Sequence, residues 1–247
     1  MSVNLEGRIA VVTGASRGIG YFTALELAKA GAHVIACART VGGLEELDDA
    51  IKAVGGSATL VPFDLADMKA IDALGAAIAE RWGKLDILVA NAGVLGTISP
   101  IGHTEAKVFE KVMNINVVAT WRLIRSLEPL LLKSDAGRAI ILSSGVAHNI
   151  RPFWGTYAAS KAAVEALART WAAETQRTTN LRINSVNPGA TRTAMRAQAM
   201  PGEDPNDLPH PSEVAAKLLP LLAPEMTETG KLFNVREGRM LEYRLPE

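Results

Sequence analysis

Tyr157 and Lys161 stand four residues apart in Tyr157-Ala158-Ala159-Ser160-Lys161, and a serine pair, Ser143-Ser144, ends thirteen residues before the tyrosine. On a helix the i, i+4 spacing puts phenol and ammonium on one face, where the cation favours ionisation of a phenol whose free pKa is about 10. Moving that pKa to ~7 takes about 4 kcal/mol, and a unit charge at ~4 Å supplies roughly that at an effective dielectric of ~20. The pair is a candidate for proton exchange near neutrality. Many helices carry Tyr-x-x-x-Lys without such a role, so its company decides the matter.

That company begins with Thr13-Gly14-Ala15-Ser16-Arg17-Gly18-Ile19-Gly20, which follows an apolar run and opens a helical pattern. Glycines let backbone amides approach a pyrophosphate, and a helix N-terminus favours its charge. Gly14, Ser16, Arg17, Gly18, Ile19 and Gly20 are the candidate contacts, although the spacing is not Gly-x-Gly-x-x-Gly. An NAD site would place an acidic residue after the second strand to hold the ribose 2′-hydroxyl. Here that strand ends Ala36-Cys37-Ala38-Arg39-Thr40, with no Asp or Glu between Glu26 and Glu45. Arg39 and Arg17 suit a 2′-phosphate instead, so NADP(H) is expected over NAD(H). Asp64-Leu65 after the third strand suits an adenine amino group, or caps the next helix, as Asp67 also can. Asn91-Ala92-Gly93 closes the fourth strand as a floor of small residues.

These elements need a frame. Arg8–Thr13, His33–Ala38, Ala58–Pro62, Asp86–Ala90, Ala139–Leu142, Leu181–Val186 and Leu232–Val235 read as strands, several without polar alternation, as strands buried on both faces should be. Between them 18–30, 41–54, 67–82, 104–132, 156–178 and 211–222 read as amphipathic helices. The expected fold is α/β: one Rossmann-type domain over 1–247, a doubly wound parallel sheet of about seven strands with helices on both faces. Prolines at 201, 205, 209 and 211 break up 190–211, which follows a strand's C-terminal end and is expected to cover substrate.

Composition narrows the function. Lys plus Arg equals Asp plus Glu at 26 each, so no bulk field favours nucleic acid or an anionic membrane. The N-terminus lacks a signal-peptide pattern and no apolar run approaches the ~20 residues of a membrane span. Cys37, the single cysteine, lies in a strand-like segment and excludes an intrachain disulfide. A small-molecule substrate, a cytoplasmic setting and no metal are expected.

Thr13-Gly14-x-x-x-Gly18-x-Gly20, Asn91-Ala92-Gly93, Asn116, Ser144, Tyr157-x-x-x-Lys161 and Pro188-Gly189 together resemble the short-chain dehydrogenase/reductase family, in its order and at its distances, from about Arg8 to Val235. The resemblance implies carbonyl–alcohol interconversion by hydride transfer. Tyr157 would be the acid or base, Ser144 rather than Ser143 would bind the substrate oxygen, and Lys161 would hold the nicotinamide ribose and lower the tyrosine pKa. Asn116, rather than Asn114, would hold a water linking the lysine to solvent. Pro188, Gly189 and either Thr191 or Thr193 would lie at the nicotinamide, with Thr193 resembling the family's carboxamide contact. The end of the chain, Asn234-Val235-Arg236-Glu237-Gly238-Arg239 running to Pro246-Glu247, departs from the family's Val-Asp-Gly-Gly-like strand and turn, a region that commonly helps build tetramers.

The resemblance implies a homodimer through the long helices 104–132 and 156–178, with Leu127, Leu131, Trp171 and Ala172 as candidate contacts that could equally be core, and a homotetramer as the alternative. Phe153, Trp154, Met195 and Met200 offer apolar surface for substrate, Arg151, Arg192 and Arg196 suit an anionic group, and His148 reads as a loop residue facing solvent. The substrate expected is a medium-sized ketone or aldehyde, a 3-oxoacyl thioester among the alternatives. A non-catalytic NADP(H) sensor would need neither Tyr157 nor Lys161.

Overall fold

The computed structural model describes residues 3–243, so Met1, Ser2 and the last residues, Pro246-Glu247 among them, lie outside the described part. Eight strands form one sheet in the order β3-β2-β1-β4-β5-β6-β7-β8. They are β1 (Ile9–Thr13), β2 (His33–Ala38), β3 (Ser57–Pro62), β4 (Ile87–Ala90), β5 (Arg138–Leu142), β6 (Arg182–Asn187), β7 (Leu232–Asn234) and β8 (Arg239–Leu241). The first seven run parallel, and β8 pairs antiparallel with β7. The expected strands are present. The eighth was not read from sequence, because Arg239–Leu241 has no strand pattern of its own and pairs only because the Gly238 amide bonds back to the Asn234 carbonyl at 2.8 Å.

Successive strand residues feed opposite layers. Ala10, Val12, Val34, Ala36, Ile87, Val89, Ile140 and Leu142 pack on one face of the sheet. Ile9, Val11, Ile35, Cys37, Leu88, Ala90, Ala139 and Ile141 pack on the other. Both faces are dry, hence the unbroken apolar runs. Burial pushes the Cys37 thiol up to about 12, so it is a small hydrophobe in practice.

The helices are α1 (Gly18–Lys29), α2 (Val41–Ala53), α3 (Met68–Trp82), α4 (Ala106–Met113), α5 (Ala119–Leu131), α6 (Gly155–Thr175), α7 (Ala194–Ala199) and α8 (Pro211–Leu218). The expected helix 104–132 is interrupted by a π-helical turn, Asn114–Val118, between α4 and α5. Such turns insert a residue into the helical ladder and often mark functional positions. The expected helix over 211–222 ends at Leu218 and tightens into a 3₁₀ turn, Leu219–Leu222, that contains Pro220. The candidate assembly contacts Leu127, Leu131, Trp171 and Ala172 are at most 3% exposed. All four belong to the core layer beneath α5 and α6, so they are intramolecular. Among the described residues, no helix is long and apolar enough to cross a membrane.

Beyond the apolar layers, one buried carboxylate anchors the sheet's N-terminal edge. Asp86 is fully buried and accepts from the Ile9 amide at 3.0 Å, Ser134 Oγ at 2.5 Å, and Arg8 and Lys84 at 3.0 Å each. Burial alone pushes its carboxyl up. The hydrogen bonds from Ser134, Ile9, Lys84 and Arg8 outweigh that and hold it below the usual carboxylate range. Asp86→Ala is expected to cost about 3–5 kcal/mol in urea unfolding, as a buried charge network loses its centre. In the native chain this stabilisation is present above the ordinary carboxylate pKa and is lost as pH falls through the depressed one, so acid unfolding should lose pH dependence in the variant.

Candidate active site

The strand order reverses between β1 and β4, because the crossovers from β1 proceed outward through β2 and β3 before the chain returns to the other side. A crevice therefore opens at the C-terminal ends of these two strands. The Thr13 hydroxyl closes its floor by accepting the amides of Asn91 and Ala92, both at 3.1 Å. Asn91 Nδ2 donates to the carbonyls of Thr13 at 2.9 Å and Gly14 at 3.3 Å. Glycine is required at position 20, since a Cβ there would collide with the Gly14 carbonyl and the Asn91 amide. The first turn of α1 has no side-chain cap and no acidic residue, which leaves its amides for an anion. Ser16, Arg17, Gly18 and Ile19 border this end, with Arg17 exposed at the N-cap.

Arg39 leaves β2 at the same edge and stands 3.6 Å from Asp64, both side chains about half exposed. Asp64 accepts from the Ala66 amide at 2.9 Å, and Asp67 caps α3 through Lys69 and Ala70. Leu65 is half-buried against the layer below. On the facing side, Gly189 follows Pro188 and takes the Asn187 side-chain oxygen at 3.1 Å. Thr191 is buried and turned back toward the Pro188 carbonyl. Thr193 caps α7, and its methyl would be 3.4 Å from a Cβ at Gly18, so of the two threonines it is the one beside the glycine turn.

Tyr157 and Lys161 share the inner face of α6, the lysine nitrogen 5.6 Å from the ring centre. Lys161 is buried and donates to the Leu142 carbonyl at 2.6 Å. Burial pushes it down to about 8, and pushes the Tyr157 phenol up to about 12. The expected depression of the phenol is thus reversed in this arrangement: desolvation of the anion outweighs a cation that spends its hydrogen bond on a carbonyl. Ser144 begins a 3₁₀ turn after β5 and is partly exposed, whereas the Ser143 hydroxyl is buried and donates to Glu165. Ser144 Oγ accepts from the Val146 amide at 3.4 Å and is the more exposed of the two serines.

Asn116 sits in the π turn, 1% exposed, while Asn114 is exposed. Its Oδ1 accepts from the Val94 amide at 2.8 Å, and its Nδ2 donates to the Val94 carbonyl and to Ser160 Oγ, each at 2.9 Å. Both amide hydrogens are taken, so the side chain ties the loop after β4 to α6. A Cβ on Gly93 would lie 3.3 Å from Asn116 Oδ1 and 3.6 Å from Lys161 Nζ, which makes Gly93 the gap beside both.

The segment 190–211, expected from the sequence to cover substrate with Met195 among its apolar residues, reaches the phenol. Met195 of α7 lies with its sulfur 3.9 Å from the Tyr157 hydroxyl. With Leu95, Val146, Ile98, Trp154 and Ala199 it forms an apolar shell around the phenol. Arg196, expected to meet an acidic group, is held by both Glu203 carboxylate oxygens at 2.5 and 2.7 Å and has its charge compensated.

A parallel sheet with a glycine-lined crevice at its switch point, facing a buried Tyr–Lys pair, defines a dinucleotide-binding α/β oxidoreductase. Residues 8–204 match the short chain dehydrogenase family. The chain is 40% identical to an uncharacterized oxidoreductase of Escherichia coli, YciK, over 95% of this chain and 94% of that one. It is 39% identical to a fatty acyl-CoA reductase of Acinetobacter baylyi over 78% of this chain and 66% of that protein. A short chain dehydrogenase from Shigella flexneri, solved in complex with NADP, superposes with a TM-score of 0.91 at 39% identity, covering 96% of this chain and all of that one. The chain belongs to the short-chain dehydrogenase family and is an NAD(P)-dependent oxidoreductase acting on CH–OH groups.

The apolar shell has a measurable consequence. Met195→Ala should admit water and bring the Tyr157 phenol down from about 12 toward ~10, read by ultraviolet difference titration against Tyr157→Phe. An unchanged titration would mean that Met195 is not what dries the hydroxyl.

Proposed function

We propose that the chain is an NADP(H)-dependent carbonyl reductase in which Tyr157 is the proton donor, the whole of 1–247 forming one such domain. The placing of the Tyr157–Lys161 pair carries this reading: phenol and ammonium share the inner face of α6, the lysine nitrogen 5.6 Å from the ring centre, beside the glycine-lined crevice, where a phenol hydroxyl can meet a carbonyl oxygen. A non-catalytic NADP(H) sensor has no use for a dry phenol and a buried lysine on one helix face.

The chain's residues fit the cofactor. The uncapped start of α1, with Gly14, Ser16, Gly18, Ile19 and Gly20 around it, suits a pyrophosphate. Arg39 and Arg17 would hold a 2′-phosphate, and Asp64 and Leu65 would border the adenine. Asn91, Ala92, Gly93, Pro188, Gly189, Thr191 and Thr193 would line the nicotinamide end, and Lys161 would bond the ribose beside it. Reduced nicotinamide, when bound, supplies hydride to the carbonyl carbon.

The remaining work falls to side chains. Tyr157 Oη gives its proton to the carbonyl oxygen, and the Ser144 hydroxyl donates a hydrogen bond to that oxygen as charge develops. Lys161, a cation at neutral pH, steadies the phenolate left behind. Asn116 keeps Gly93–Val94 and α6 in register around it. Met195, Trp154 and Leu95 exclude water from the reacting oxygen.

The substrate follows from the cover. The shell around Tyr157 favours a ketone or aldehyde with an apolar substituent next to the carbonyl, and the segment 190–211 closes over it. Likeness to a fatty acyl-CoA reductase supports an acyl chain as that substituent. With Arg196 paired to Glu203, an anionic end such as a thioester carrier's would meet the exposed Arg192 or Arg151. A homodimer or homotetramer belongs to the same proposal, through Phe109, Val118 and Trp121, which are 36–42% exposed along α4, the π turn and α5.

Tyr157→Phe is expected to bind NADPH with nearly wild-type affinity while carbonyl reduction falls roughly 10²–10⁴-fold; retained turnover in an assay of ketones, aldehydes and oxoacyl thioesters would refute the mechanism. Arg39→Ala is expected to weaken NADPH by about 1.5–3 kcal/mol, or roughly 10–100-fold, and to leave NADH unchanged in fluorescence titrations. A wild-type preference for NADH would overturn the cofactor assignment.

A further inference from the structure

Glu165 lies one helical turn beyond Lys161 on the inner face of α6 and is 3% exposed. A carboxylate this deep needs partners. Its Oε1 accepts from the buried Ser143 hydroxyl, and its Oε2 is 2.7 Å from His148 Nε2. His148, read from sequence as a solvent-facing loop residue, is 43% exposed and closes the solvent side of the carboxylate.

The two buried charges of α6 therefore hold consecutive residues of one strand end. Lys161 takes the Leu142 carbonyl and Glu165 takes the Ser143 hydroxyl. The next residue is Ser144. We propose that Glu165 is a positioning residue of the active site, anchoring the Ser143 hydroxyl next to Ser144 and setting its negative charge opposite the Lys161 ammonium. The proposal rests on the carbonyl-reductase reading of that site.

Among the described residues, the groups facing Glu165 are few. Along α6 they are Lys161 before it and Arg169 after it; from the loop after β5 comes His148. From the C-terminal segment comes Tyr243, whose ring lies 5.8 Å from that of His148 and beneath the Arg169 guanidinium at 4.3 Å. Burial pushes the Tyr243 phenol up, so it adds no charge. Lys161 is pushed down by desolvation, and Glu165 is the charge that resists the shift. Without it the lysine would lose its proton at lower pH. Arg169 is exposed on the far turn and screened by solvent. His148 meets the same carboxylate oxygen in either protonation state, as a neutral or a charged donor.

Glu165→Gln tests this, since it keeps the volume and one acceptor oxygen, turns the other into an NH2 whose hydrogen bond a His148 ring nitrogen can accept in the other tautomer, and removes the charge. The pH profile of NADPH-dependent carbonyl reduction should lose its alkaline limb on the order of one unit earlier, so that turnover near pH ~9 falls roughly tenfold while turnover near pH ~6 is unchanged. Glu165→Asp should restore the wild-type limb. Ser143→Ala should lower turnover at every pH without moving the limb. Identical profiles for wild type and Glu165→Gln, or a loss uniform across pH, would overturn the charge role and leave Glu165 a packing residue.

The pH dependence of NADPH binding, followed by fluorescence with Lys161→Met as reference, reads the same titration without turnover. Failure of wild type to reduce any carbonyl, with the binding limb still displaced in Glu165→Gln, would count against the reductase reading and not against the Glu165–Lys161 coupling. An undisplaced binding limb would overturn the coupling whatever the activity.

Discussion

One hydroxyl joins the two halves of the nucleotide-binding crevice. Thr13 ends β1 and accepts the amides of Asn91 and Ala92 at the end of β4, where the sheet's winding reverses. Parallel strands that diverge there would otherwise leave several backbone amides without partners in a partly buried place, at about 1–3 kcal/mol each. Because the threonine takes two of them and Asn91 returns to Gly14, the glycine turn is held against the floor of the crevice. The start of α1 then points into the crevice, and Gly93 comes to rest beside Asn116 and Lys161.

From that floor outward, the chemistry is governed by dryness more than by charge. Tyr157 and Lys161 are both buried, and desolvation moves each toward its neutral form, the phenol up and the lysine down. Simple Coulomb reasoning on an i, i+4 pair points the other way for the tyrosine, since it assumes the two groups face one another in a medium of ~20. Instead, the lysine faces a backbone carbonyl and the tyrosine faces a methionine sulfur. The tyrosine hydroxyl is thereby kept protonated and dry.

The elements were legible to within a residue or so wherever burial on both faces left a continuous apolar run, as in Ile9–Thr13 and His33–Ala38. Legibility failed where structure depended on something distant. Arg239–Leu241 becomes a strand only because β7 is beside it, and the π turn at Asn114–Val118 interrupts a helix whose apolar periodicity runs straight through. Leu127, Leu131, Trp171 and Ala172 looked like surface for a second copy, since spacing on a helix says that a face is apolar but not which neighbour covers it. Within the serine, asparagine and threonine pairs, the fold turns one member inward: Ser143 toward Glu165, Asn116 into the core, Thr191 into its own loop.

By itself the sequence determined the alternation of strands and helices, the glycine turn that starts α1, the absence of an acid after β2 and the pairing of Tyr157 with Lys161. Each is carried by local spacing, which the chain expresses wherever it folds. Tertiary structure alone decided which groups are dry, and with that the direction of the tyrosine and lysine shifts, the capture of Arg196 by Glu203 and the placing of Glu165 behind the serine pair. Burial and hydrogen-bond partners are sums over segments tens of residues apart in sequence. No local pattern records them.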